Sequence, residues 1–176
     1  MNTTIKKILN EAQDIEKIKF ERALVDLKFI IERYTMNRYG DSEVKDYLKL
    51  FYDKSLVYYK LKKEELTSIK YFLFFILFNF PDRAVLTAKC IKVLFDESVR
   101  EAICTGIEIY MEREDDVACE LIFAITNLGD MQNYFNNKRI RDLLIKVSKF
   151  GGENSKKATI QQLSLFKKEF DPNFTW

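Results

Sequence analysis

Seven residues, five Gly and two Pro, are all that this chain of 176 offers as strong backbone breakers. Tight β turns rely on such residues at special backbone angles, so a sheet-rich fold would lack corners. Long helices remain, and the fold class expected is all-α. With 47% apolar and 32% charged residues, the chain has the balance of a folded protein that buries a sizeable core.

Period and punctuation place about eight antiparallel helices. Ile5, Ile8, Leu9, Ala12, Ile15, Ile18, Leu24, Leu27, Ile31 and Tyr34 recur at helical spacing over 3–37, as one helix or as two with a bend near Gln13–Asp14. Gly40 ends this stretch. Asp41 or Ser42 caps a second helix carrying Val44, Leu48, Phe51 and Tyr59 on one side. A third, from about Glu64 to Phe80, is apolar nearly all round, reads as central, and stops at Pro81. Asp82 opens a short helix with Val85, Ala88, Ile91 and Phe95. Asp96 caps the next, and Asp115 or Asp116 a sixth that ends at Gly129. Residues 137–150 form a seventh, closed by Gly151-Gly152, and Ser155 starts the last. One domain, 1–176, is expected: N-terminal helices over 1–80, a C-terminal half over 82–170, and an irregular tail, 171–176.

Several functions are made implausible by what is missing. The chain has no histidine, which removes Ser-His-Asp and Cys-His catalysis and most zinc chemistry. Cys90, Cys104 and Cys119 form no CxxC pair and read as reduced, buried thiols. The most apolar run, "YFLFFILF", is eight residues, against roughly 20 for a spanning helix. The start, "MNTTIKKILNEAQDIEK", turns acidic early and lacks a signal-peptide core. A cytoplasmic chain with no membrane role, no metal, no cofactor and no enzymatic activity is expected.

The second half carries a spacing near 40 residues: "DVACELIFAITNL" from 116 aligns with "SKKATIQQLSLF" from 155 at an offset of 39. "FDESVREAICTGIEI" at 95–109 resembles a HEAT-type repeat helix, with Asp96, Val99, Arg100 and Ala102 carrying the match. "AITNLGD" at 124–130 resembles such a repeat's closing turn. The resemblance spans roughly 82–170 and implies HEAT-like helical pairs there, in a scaffold that binds other macromolecules along a helical face.

Charge is distributed unevenly. Residues 96–120 hold nine acids and two bases, a net of −7, while 138–170 hold nine bases and three acids, a net of +6. A formal total of +2 hides this polarity. "EREDD" does not fit a calcium loop, and general acid–base work wants carboxylates in a partly apolar cleft rather than opposite the apolar stripe. A solvated face with Asp96 and Asp115 as caps accounts for some of these acids. It accounts poorly for Glu108, Glu112 and Glu114, placed at a helix C-terminal end where negative charge costs about 0.3–1 kcal/mol.

A basic protein partner would select such charge. The function expected is a non-catalytic binding module, specifically an immunity protein that blocks the basic active-site surface of a bacterial toxin domain, a nuclease by preference. Small helical chains of this kind resemble immunity proteins of contact-dependent growth-inhibition systems. Glu108, Glu112, Glu114, Asp115, Asp116 and Glu120 would make the electrostatic contacts, with Tyr110 and Met111 as apolar anchors if exposed. On this reading Asp115 and Asp116 can be reversed to Lys without harm to the fold. The alternative is a nucleic-acid-binding helical repeat using Lys138, Arg139, Arg141, Lys146 and Lys149, with Tyr134 and Phe135 stacking bases.

Overall fold

The computed structural model describes residues 3–36, 54–57, 59–128 and 135–176. Among them are eight α-helices of nine residues or more and no strand, so the chain is all-α. These are α1 (Thr3–Glu11), α2 (Lys17–Met36), α3 (Lys63–Asn79), α4 (Ala84–Lys92), α5 (Arg100–Tyr110), α6 (Asp115–Thr126), α7 (Lys138–Phe150) and α8 (Glu153–Glu169). A helical turn, Lys54–Val57, is separate from them. The helix expected from Asp41 or Ser42, together with Gly40 and Gly129, lies outside the described residues apart from that turn and Tyr59.

The contacts divide the chain into two compact units, Met1–Leu94 and Phe95–Trp176. The internal boundary expected at 80–82 therefore falls later, because α4 packs on α2 and α3 and belongs with the first unit.

In the first unit the expected bend is a full break. The Asp14 carboxylate accepts the Glu16 N–H at 2.9 Å, which satisfies the turn and redirects the chain. The break leaves Ile15 95% exposed and Ile18 74% exposed, although both share the helical period of the core residues. The buried stripe of α2 instead runs through Phe20, Ala23, Leu24, Leu27 and Ile31. Helix α3 is likewise not buried all round. Ile69, Leu73, Ile76 and Leu77 are fully enclosed, each worth about 1.5–3 kcal/mol, whereas Tyr71, Phe75 and Phe78 face outward. Glu65 closes the start of this helix, accepting the Lys62 N–H at 3.2 Å and the Tyr59 hydroxyl at 2.8 Å.

One buried cation stitches the unit together. Arg83 donates to the Ala12 carbonyl at 2.6 Å, and its guanidinium lies 4.3 Å from the Phe20 ring centre and 4.7 Å from that of Phe80. The two aromatic faces partly replace the water that a buried guanidinium loses.

In the second unit, α5 packs on α6, α7 on α8, and α6 on α8. Four residues join α5 to α6 and two join α7 to α8, which makes each pair an antiparallel hairpin. The core is Ile103, Ile107, Val117, Leu121, Ile122, Ile125, Leu144, Val147 and Leu163.

Candidate functional site

The acidic stretch is not one uniform face, because the fold uses several of its members. Asp96 is the expected cap: its carboxylate accepts the Ser98 N–H at 2.9 Å, at the head of the 3-10 turn that leads into α5. Glu97 pairs with Arg100 one turn on. Glu101 and Glu108, two turns apart on α5, are bridged by Arg139 of α7, which bonds Glu101 and reaches Glu108 at 3.6 Å. The −7 and +6 segments thus meet at this arginine. All three side chains are substantially exposed, so each pair contributes at most about 0.2–1 kcal/mol.

Asp115 departs from its expected role. It is the first residue of α6 rather than its cap, and the N-cap position belongs to Glu114, whose side chain makes no capping bond. The Asp115 carboxylate turns to α8 and accepts the N–H groups of Asn154 at 2.7 Å and Ser155 at 2.9 Å. Asp116 adds a bond from the Asn154 side chain at 3.0 Å. Burial pushes the Asp115 carboxyl up, but the hydrogen bonds from Ser155 and Asn154 outweigh it and hold the group below its ordinary value. The expectation that Asp115 reverses to Lys without harm is therefore corrected: a lysine there would put a cation against the positive end of α8.

Tyr110 and Met111 are also corrected. They are 5% and 2% exposed, packed into the unit, and offer a partner no apolar anchor. The i, i+3, i+7 spacing of Ile103, Gly106 and Tyr110 already placed Tyr110 on the buried side of α5.

What remains at the surface is the turn from α5 to α6. Glu112, Glu114 and Asp116 are exposed, and Glu120 is half-buried on α6. Among the described residues, Glu112 and Glu114 form no ion pair. Glu114 sits where the positive end of α6 favours it, but Glu112 lies just past the C-terminal end of α5, where the helix dipole opposes it.

The basic segment loses part of its expected surface. Lys138, Lys146 and Lys149 are exposed along α7 with Asp142 among them, and Arg141 lies 3.9 Å from that aspartate. Arg139 is committed to α5. Phe135 is 1% exposed and stacks on Phe166, so it is not available to a base, and Tyr134 lies outside the described residues.

Cys90 and Cys104 are buried as expected, and burial pushes their thiols up to about 12 and about 11. Cys119 is only partly covered. Among the described residues no three Asp, Glu or Cys side chains converge to hold a metal ion, and no single helix is long and apolar enough to cross a membrane.

Comparison with known proteins places the chain in no family: no family model matches, and neither the curated proteins nor the solved structures contain a match. Sequence reasoning missed Arg83, the pairing of Arg139 with α5 and the Asp115–α8 contact. Each depends on a partner 38 or more residues away, which no local spacing reveals.

Proposed function

We propose that the chain is a non-catalytic protein-binding module whose contact surface is the acidic turn between α5 and α6, and that its partner is a basic protein. The observation that carries this reading is Glu112. It is exposed, makes no ion pair among the described residues, and stands where its own helix disfavours it. Charge that the fold neither needs nor favours is charge available to a partner. Glu114, Asp116 and Glu120 extend the surface, and complementary potential of this kind speeds encounter and fixes orientation.

In its narrower form the partner is a bacterial toxin domain, and the chain is an immunity protein that covers the toxin's basic substrate surface. The absence of histidine and the polarised charge support this form. The HEAT-like scaffold reading belongs to the same proposal and rests on Asp96, Val99, Arg100 and Ala102. The nucleic-acid reading keeps Lys138, Lys146 and Lys149 of α7, with Arg139 and Arg141 already drawn toward acids.

The test reverses Glu112 and Glu114 to Lys, which leaves the Asp115 contact untouched. The chain and the variant are used to capture partners from the source cell's lysate at low and moderate salt. One basic protein retained by the chain and lost by the variant supports the proposal. A protein retained equally by both refutes the acidic turn as the contact surface, and recovery of RNA or DNA, with affinity falling steeply in salt, favours the α7 lysines.

A further inference from the structure

The segment Asp171–Trp176 belongs to no helix, yet it is held against the second unit by its aromatic residues. Phe135 and Phe166 stack with ring centres 4.2 Å apart, and Phe166 stacks on Phe170 at 5.8 Å, forming a short aromatic platform. Phe174 sets its ring edgewise against Phe166 at 5.2 Å and Phe135 at 6.2 Å. Trp176 stacks on Phe174 at 5.8 Å, with the Lys167 ammonium 5.9 Å from its ring centre. The intervening Thr175 is exposed.

We propose that Phe135, Phe166 and Phe170 form a docking platform for a peptide segment with two aromatic side chains two residues apart, and that Phe174, seated on the platform with Trp176 stacked upon it, occupies it as an intramolecular ligand. The occupant's chemistry is read from the resident segment, an i, i+2 aromatic pair, and Lys167 of α8 supplies a cation beside the second ring. The proposal does not depend on the acidic turn.

The strap is built to open. Its backbone bonds lie at its base, from the Asp171 N–H to the Phe166 carbonyl at 3.2 Å and from the Phe174 N–H to the Asp171 carbonyl at 2.9 Å. Beyond them the attachment is aromatic contact, and segments with few buried contacts and no helical or sheet ladder open most readily. A segment supplied by a partner then competes with a strap whose effective concentration is about millimolar.

Trp176 is the chain's one tryptophan, so variants that replace it leave a peptide's tryptophan as the sole indole reporter. The full-length chain carrying Phe174→Ala and Trp176→Ala has an open platform, while Trp176→Phe keeps the strap aromatic. The probe is the synthetic peptide Asp-Pro-Asn-Phe-Thr-Trp, followed by anisotropy and emission shift. The expected result is saturable binding, at least about tenfold tighter to the open variant than to Trp176→Phe, as release from an intramolecular competitor requires. The same peptide with Ser in place of Phe and Trp should not bind. Absence of saturable binding, or equal affinity for both variants, overturns the proposal. Far-UV circular dichroism checks the fold of both. If the double variant unfolds, saturable binding to Trp176→Phe, blocked by excess unlabelled whole-segment peptide but not by the Ser peptide, decides the question.

Discussion

The carboxylate of Asp115 receives the backbone N–H of Ser155 at 2.9 Å, forty residues along the chain. An acid in the first turn of one helix thereby caps the helix that packs beside it. Gly152 makes the approach possible, because a Cβ built there would lie 2.3 Å from the Asp115 carboxyl carbon. The cap and the glycine are two halves of one contact.

Removing the carboxylate leaves two helix N–H groups without their acceptor. Capping substitutions of this kind cost about 0.5–2 kcal/mol, so Asp115→Ala is expected to lose about 1–2 kcal/mol in urea unfolding. Asp116→Ala, which gives up one exposed side-chain bond, is expected to stay within about 0.5 kcal/mol. Equal losses at the two positions would mean that the α8 cap is not what Asp115 contributes.

The same contact predicts a pH dependence. The Asp115 carboxyl is held below its ordinary value, so folding favours its ionised form. Stability from such a group is complete above the unfolded pKa and is lost as pH falls through the folded one. The stability difference between the chain and Asp115→Asn is expected to be level from about pH 7 to 5 and to shrink below about pH 4. A difference that persists undiminished at pH 3 would assign the effect to hydrogen-bond geometry rather than charge.

Gly152→Ala tests the clearance. Its methyl group would collide with the Asp115 side chain, and the forced shift is expected to cost about 1–3 kcal/mol. With Asp115→Ala already in place the carboxyl contacts at 2.3 and 2.5 Å are gone, and only the Cβ at position 115, 2.7 Å away, still has to shift. The double variant should then be more stable than the sum of the single losses predicts, by about 0.5 kcal/mol or more. Strict additivity would show that the collision is not with the Asp115 carboxyl.

These residues also mark how far the sequence can be read. Gly151-Gly152 was legible as the end of α7, and Asp96 as a cap, because each acts on backbone within a few residues. Asp115 carried the same local signature, an acid ahead of Val117 and Ala118, and yet serves a helix 39 residues on. Helix α3 read as apolar nearly all round, and the sequence could not say that Tyr71, Phe75 and Phe78 would face outward, since a helix apolar on every side has no period that picks out its exposed face. Ile15 failed for a different reason: it sits in the break itself, where period has no meaning. The acidic stretch was legible as charge. Its division into ion pair, cross-helix cap and free surface was not, because Arg139 and the start of α8 reach it from other helices.

Phe95 offers a last test of backbone rather than contact. It is the one described non-glycine residue with positive φ, at 48°, and its ring is 39% exposed. A Cβ in this left-handed region crowds the following carbonyl, at a cost of about 1–2 kcal/mol. Asparagine tolerates the region through its short polar side chain, so Phe95→Asn is expected to raise stability by about 0.5–1 kcal/mol. Glycine removes the crowding but adds freedom to the unfolded chain, about 0.5–1 kcal/mol in the other direction, and should fall near neutral. Alanine keeps the Cβ and loses the ring, so it should destabilise. The order Asn, Gly, Ala in urea midpoints would identify strain at this position, whereas a loss with all three would mean that the half-covered Phe95 ring outweighs it.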